Sequence, residues 1–420
     1  MSKSTPKSIL GPKSTLSRRH FVAGAAAGTA VLATGVTGFP AILRAAPGTI
    51  KIGLVHPVTG FLQFSGSQCR FGALQAIREL NAAGGIKSVG GAKLVPVLGD
   101  ARSKPEIGAA VVERFNEAGV AAIVGAYSSG ISLATTQAAA KYGIPHVVDV
   151  GVNDKIVGRG LTNTFRFGPG FGVITKDGVE RLIAINDAAG KPTKTVVIVH
   201  ENTTPFGSYM AGLMKKGLEP AGFKVVATLP HPTPNKDFRN IVLKIKALKP
   251  DLIIPSHYYN EGVLFLRTLQ RQRVTAKAIY SVLGGASSQY RFLKEFPDAA
   301  QYVMDCNHWY NPKSAAAQAL RKRTEAAGKS FSYEVFLAYT AVRFVADAME
   351  RAGSAERKAI IAALASSTWQ SDIMPYGPTK IVNGQNMAAQ PLNTQVLGTE
   401  IEVVAPPEYM TKPAVFPRPA

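Results

Sequence analysis

The stretch GAYSSG, residues 125–130, sets two hydroxyls and a tyrosine between an apolar run, VAAIVG at 120–125, and a helix-forming segment at 131–143. A strand that turns through small hydroxyl residues into a helix leaves several backbone N–H groups free, with the helix dipole behind them. Such a turn can hold a carboxylate or a phosphate, or its serines can simply cap the helix. A second stretch, DLIIPSHYYNEG at 251–262, places Tyr258, Tyr259 and Glu261 directly after another apolar run. An anion-holding turn opposite a carboxylate and two tyrosines suits a zwitterion with an apolar body. The plainer alternative is that Glu261 complements its own helix start and the tyrosines pack.

Other chemistries find less support. Position 127 is tyrosine, so GAYSSG fails the G-x-S-x-G spacing that exposes a nucleophilic serine. An amidase or hydrolase using Ser129 would also need a base and an oxyanion arrangement, and neither is evident. No G-x-G-x-x-G follows a strand, and no glycine-rich loop ends in Gly-Lys-Ser/Thr. The seven histidines form no H-x-x-x-H pair, and there is no C-x-x-C. The chain is therefore expected to bind without turnover, with no catalytic residue, cofactor or metal. His56, His200 and His257 each follow an apolar strand, a position commoner for a hydrogen-bonded structural histidine than for a cleft residue.

The elements that must position these residues alternate between strand and helix, twice over. In the first run TIKIGLVHP is a strand. A helix with Phe71, Leu74, Ile77 and Leu80 on one stripe follows and stops at Gly84. AKLVPVLGD, a helix over 106–118, VAAIVG, the helix after Gly130 and PHVVDV continue the alternation. It restarts at KTVVIVHEN, with helices at 206–219, 238–248 and 261–272 between the strands GFKVVATL, DLIIPS and KAIYSV. Strands alternating with helices mean parallel sheets with right-handed crossovers, so the two runs make two α/β lobes. Ligands of open α/β sheets lie beyond the carboxyl ends of the strands, which puts both stretches at one interlobe cleft. A strong helix, SYEVFLAYTAVRFVADAMERAG, and a second from Ser354 follow. The tail from Ser371 is irregular or short-stranded.

The N-terminus reads as an address. Arg18 and Arg19 precede a weakly apolar run over 21–43 diluted by Gly24, Gly28, Gly35 and Gly38, and small Ala45 and Ala46 follow. This is the pattern of a cleavable export signal of the twin-arginine type, cut near Ala45 or Ala46. The first cysteine is Cys69, too far on for lipid attachment, so a soluble periplasmic protein is expected. Removing residues 1–46 takes away six basic residues and no acids, and leaves a net charge of +15. So basic a balance raises nucleic acid as a partner, but no basic-aromatic motif supports it. It suits anionic solutes or the inner-membrane face, or is a solvated surface. Cys69 and Cys306 lie far apart in sequence, and no disulfide is expected although the compartment permits one. A mature chain of about 370 residues exceeds one ordinary core.

The order of landmarks resembles the periplasmic solute-binding proteins of the branched-chain amino acid type, which feed ABC transporters. IKIGLVHPVTGFLQFSGSQCRFGALQAIRELNAAGGI at 50–86 is similar to that family's start. IVGAYSSG, the strand IPHVVD, KDF at 236–238 and NEG at 260–262 keep its order. The resemblance implies two Rossmann-like lobes with parallel sheets joined by three hinge crossovers, working as a monomer with membrane permease subunits. The implied division is a leader at 1–46, lobe I at 47–167 and 284–376, and lobe II at 168–283 and 377–420. Crossovers are expected near 165–170, 281–285 and 376–382.

By the same resemblance, Ser129 holds the ligand carboxylate through hydroxyl and backbone N–H, and Ser128 and Tyr127 touch the ligand body. Glu261 binds an ammonium, Tyr258 stands beside it, and Phe206 falls where the family often packs a tyrosine over the ligand. Val152 stands where the family has a threonine that grips both ammonium and carboxylate. Val150 replaces a small residue, and Ser65, beside Phe64, replaces a wall aromatic. A small carboxylate-bearing solute is expected: first a hydrophobic or branched-chain amino acid, second an aromatic or aliphatic acid without an amine, favoured by Val152. A ligand sensor serving a receptor fits the same plan.

Overall fold

A computed structural model of the chain describes residues 48–419. The leader expected at 1–46 lies outside the described residues. Among those described, no helix is long and apolar enough to cross a membrane.

The first run forms β1 (Thr49–His56), α1 (Gln63–Ala82), β2 (Lys93–Asp100), α2 (Pro105–Glu117), β3 (Ala122–Gly125), α3 (Ser129–Lys141), β4 (His146–Val148) and β5 (Thr164–Arg166). Its parallel strands pair in the order β2-β1-β3-β4-β5. The second run forms α4 (Phe171–Ala188), β6 (Thr195–Glu201), α5 (Gly207–Leu218), β7 (Lys224–His231), α6 (Arg239–Leu248), β8 (Leu252–Ser256), α7 (Tyr259–Arg271), β9 (Ala278–Val282), α8 (Tyr290–Glu295), α9 (Pro297–Ala300) and β10 (Met304–Asn307). Its sheet repeats the plan as β7-β6-β8-β9-β10. The central strands β1, β3, β6 and β8 are apolar and almost wholly buried, as parallel strands covered on both faces must be.

The remaining elements are α10 (Ala315–Ala326), α11 (Tyr333–Ala352), α12 (Arg357–Ala365), β11 (Ile381–Val382), β12 (Gln385–Asn386), β13 (Leu392–Leu397) and β14 (Glu400–Ala405). α11 lies against α1, where Gly72 admits the Val335 carbonyl at a distance that a side chain would close off. β12 and β11 extend the first sheet beyond β5, and β13 and β14 extend the second beyond β10.

Sheet membership moves two expected crossovers. The chain leaves the first sheet after β5, near the expected place. After β9 it does not return at 281–285: α8, α9 and β10 keep it with the second sheet to Asn307. Gly284 and Gly285 made that loop look terminal, and β10 (MDCN) alternates polar residues and lacks an apolar run. The third crossing falls between Asn386 and Leu392 rather than at 376–382, because β11 and β12 belong to the first sheet. Residues 284–307 thus stand with the second sheet and 381–386 with the first, against the expected division at 284 and 377. Cys69 and Cys306 are both buried free thiols.

Candidate functional site

In a sheet ordered second-first-third, the crevice opens between the carboxyl ends of the first and third strands, where the connections leave in opposite directions. In the first lobe that point lies between β1 and β3, and the turn after β3 is GAYSSG. In the second it lies between β6 and β8, whose following loops carry Phe206 and HYYNEG. The two crevices meet in one cleft of about 380 Å³ including its opening to solvent.

The first lobe presents Tyr127, Ser128, Ser129, Val150 and Val152 to this cleft. The two serines divide the work. Ser128 is the N-cap of α3, its Oγ accepting from the Ile131 N–H at 3.4 Å. Ser129 Oγ accepts from the Asn153 N–H at 3.2 Å, so its own O–H proton is free to donate. Among the described residues the Ser129 and Gly130 N–H groups find no acceptor, as the first turn of a helix dictates. Tyr127 sits in the left-handed region with φ 63°. Its N–H and that of Val150 both donate to Asp149 Oδ1, at 3.0 and 2.7 Å.

The second lobe presents Phe206 and Tyr258, whose rings lie 5.2 Å apart, with His257, Leu283, Asn307 and His308. Tyr333, from the start of α11, completes the wall. Phe206 is carried on a loop that Glu201 organises, its carboxylate accepting from the N–H groups of Thr203, Thr204 and Gly207 at 2.8–3.0 Å. Tyr258 shares a 3.2 Å hydrogen bond with Thr204 Oγ1. Contacts cross the cleft: Asn153 Nδ2 donates to the Pro205 carbonyl at 2.6 Å, and Phe64 stacks on Tyr259 at 4.1 Å.

Seven of the nine expected residues line this cleft, and two do not. Glu261 is buried on α7 with its carboxylate turned to the Thr233 hydroxyl and, at 3.3 Å, the Asn235 N–H. Burial pushes its pKa up, against the pull of those bonds. Ser65 is buried on α1 behind Tyr127 and Glu334, not on the wall.

Two of the unexpected wall residues are histidines with ring nitrogens that have no partner among the described residues. His308 is buried, neither of its ring nitrogens has a partner among the described residues, and burial pushes its pKa down to about 3. His257 donates or accepts at Nδ1 with His231 at 2.8 Å, while its Nε2 has no partner among the described residues. Burial holds it well below an ordinary histidine. Both rings are thus neutral at pH 7. His257 did carry a signal, its place after an apolar strand; His308 follows a strand too polar to be recognised.

A family model described as "Periplasmic binding protein" matches residues 49–399. Leu/Ile/Val-binding protein homolog 8 of Brucella abortus is 32% identical over 269 residues, 63% of this chain. That match spans 64% of the relative, somewhat less than two thirds of its length. The branched-chain amino acid transporter substrate binding protein LivJ from Streptococcus pneumoniae, in complex with isoleucine, shares the fold with a TM-score of 0.72 at 23% identity, covering 85% of this chain and 100% of its own. An ABC transporter solute binding protein from R. palustris, in complex with benzoate, does so with a TM-score of 0.73 at 20% identity, covering 88% and 98%.

Proposed function

The chain belongs to the periplasmic binding protein family and has its two-lobed type I fold, and from that premise we propose that it delivers a small carboxylic acid with an apolar, preferably aromatic, body and no amine to an ABC importer. The observation that carries this reading is the placing of charge around the cleft. One end offers a hydroxyl proton and free N–H groups at a helix start, where a carboxylate is favoured. Among the described residues no carboxylate lines the rest. Of the buried acids nearby, Asp149, Glu201, Glu261 and Asp305 are bonded to loop N–H or hydroxyl groups, and Glu334, behind Tyr127 and next to Tyr333, accepts from Gln289 through Oε2 while its Oε1 has no partner among the described residues. An ammonium brought into this cleft would lose its hydration with no anion to meet it, a costly exchange. Phe206, Tyr258, Val150 and Val152 suit a flat apolar body, and the relative bound to benzoate accords with such a ligand.

A second reading, a branched-chain amino acid, is favoured by the names of the curated relatives and by Glu261 at the ammonium position that the family resemblance implies. It requires the Glu261 carboxylate to leave Thr233 and Asn235. Calorimetric titration with benzoate and with L-isoleucine separates the two. Benzoate is expected to bind; isoleucine binding in its place would overturn the first reading. Either ligand should be recovered chemically unchanged, in keeping with a family of solute binders. The export signal, the periplasmic location and the permease partners belong to the same proposal.

A further inference from the structure

Resting on the reading of GAYSSG as a carboxylate-binding turn, we infer that Asp149 is its positioning residue, the centre of a chain Arg70–His56–Asp149, buried at His56 and Asp149, that holds the turn in binding geometry before any ligand arrives. Tyr127 adopts a left-handed backbone that residues with a Cβ rarely take. Something must hold it there, and Asp149 Oδ1 does so by accepting the Tyr127 N–H at 3.0 Å. The same oxygen accepts the Val150 N–H at 2.7 Å, so one atom ties both segments that frame Ser128, Ser129 and Val152. The other carboxylate oxygen, Oδ2, receives His56 Nε2 at 2.9 Å.

The donors further back fix which nitrogen of His56 carries the proton. Arg70 Nε lies 3.4 Å from His56 Nδ1, and a guanidinium can only donate. Nδ1 is therefore the lone-pair nitrogen and Nε2 the N–H that reaches Asp149. Arg70 is anchored in turn, its Nη2 donating to the Gly99 carbonyl at 2.5 Å at the end of β2. Burial lowers the pKa of His56, and although burial acts to raise that of Asp149, its bonds from His56, Tyr127 and Val150 keep it below its ordinary value. The result is a neutral imidazole on a charged carboxylate.

Cys69, His56 and Asp149 come within 4.8 Å of one another, which raises a metal site in their place. The atoms a metal would need are already engaged with each other, and a cationic guanidinium stands against His56. Hydrogen bonding to the turn is the chemistry this cluster is built for.

The test is Asp149→Asn, which keeps shape and removes one acceptor. Its amide NH₂ would face the His56 Nε2–H; turning His56 to the other tautomer would set Nδ1–H against Arg70. Amide hydrogen exchange resolved by NMR needs no ligand. The Tyr127 and Val150 amides should exchange at least tenfold faster in the variant, while Val124 in β3 keeps its protection. Unchanged exchange at both overturns the inference. In the parent protein, ¹⁵N shifts should show His56 as the neutral Nε2–H tautomer at pH 7; an Nδ1–H or doubly protonated ring overturns it even where the variant does not fold. Titration with benzoate then adds a functional arm: the variant should bind at least tenfold more weakly. Failure of the parent to bind benzoate would refute the proposed ligand class and leave the exchange result standing.

Discussion

At the scale of single residues, Ser129 is the sharpest prediction. Its hydroxyl accepts from Asn153 and so has its proton left for a ligand oxygen. Ser129→Ala removes that charge-assisted bond but leaves the backbone N–H groups, so affinity should fall by about 1.5–3 kcal/mol, tenfold to a hundredfold. Calorimetry with the acid that binds best reads the change; equal affinity would make the turn a helix cap only. Glu261→Gln tests the ligand class from the other side. It should leave an amine-free acid within about threefold of the parent, since the carboxylate faces Thr233 and Asn235; a drop of a hundredfold or more for the bound ligand would place an ammonium beside it. The serines and Tyr127 could be read from sequence because a strand, a hydroxyl pair and a helix stand next to each other in the chain. Asp149 could not, because its role depends on two N–H groups that lie 22 residues and one residue away. Nor could His308, an isolated histidine whose neighbours in space, Gly168 and Tyr333, come from distant segments.

At the scale of elements, period and punctuation were enough for both α/β runs, since each central strand is apolar and each helix carries a stripe. They failed where an element is short or its polar residues are structural. β10 hides behind Asp305 and Asn307, whose side chains bond to each other at 3.0 Å while Asp305 also accepts from the Gly284 N–H. β11 and β12 have two residues each, too few for any period. The crossovers shifted for these reasons and not for a different architecture. Packing between elements is tested at Gly72, where α1 and α11 meet closely enough that a Cβ would strike the Val335 carbonyl. Gly72→Ala should cost about 1–3 kcal/mol through overpacking, despite alanine's better helix propensity. Urea unfolding gives the value, and a stabilised variant would mean that the helices separate freely.

At the scale of the whole molecule, buried neutral histidines tie stability to pH. Burial pushes the pKa of His146 down to about 4, against about 6.5 in an unfolded chain. Below pH 6.5 the unfolded state binds the proton first, so His146 favours unfolding as pH falls, by about 1.4 kcal/mol per pH unit until its folded value is reached. Burial raises the carboxyls of Asp305 and Glu334, which act in the opposite sense. The parent alone is therefore a poor test, and His146→Gln isolates the term. The stability advantage of parent over variant should shrink by about 2 kcal/mol between pH 6.5 and 5; a constant difference would show that His146 is protonated in the fold.

The same scale contains the motion that a two-lobed binder needs. Three chain segments connect the sheets, so opening can proceed by torsion at those crossovers without disturbing either core. The contacts that would break include the Asn153 to Pro205 bond, the Phe64 and Tyr259 stack, Gln289 Nε2 donating to Glu334 Oε2 at 2.8 Å, and the Phe61 and Tyr127 rings against Tyr258. Hydrogen bonds and aromatic pairs of this kind contribute about 0.5–1.5 kcal/mol each. A bound carboxylate, sharing donors on one lobe and an apolar wall on the other, adds contacts that exist only when the lobes are together. Small-angle scattering of the mature chain should therefore show a smaller radius of gyration with saturating ligand than without. Phe64→Ala, which removes the rim stack, should enlarge the unliganded form and weaken binding several-fold without touching the carboxylate site. An unchanged radius on binding, in parent and variant alike, would mean that the lobes form one rigid body and that the ligand enters by another route.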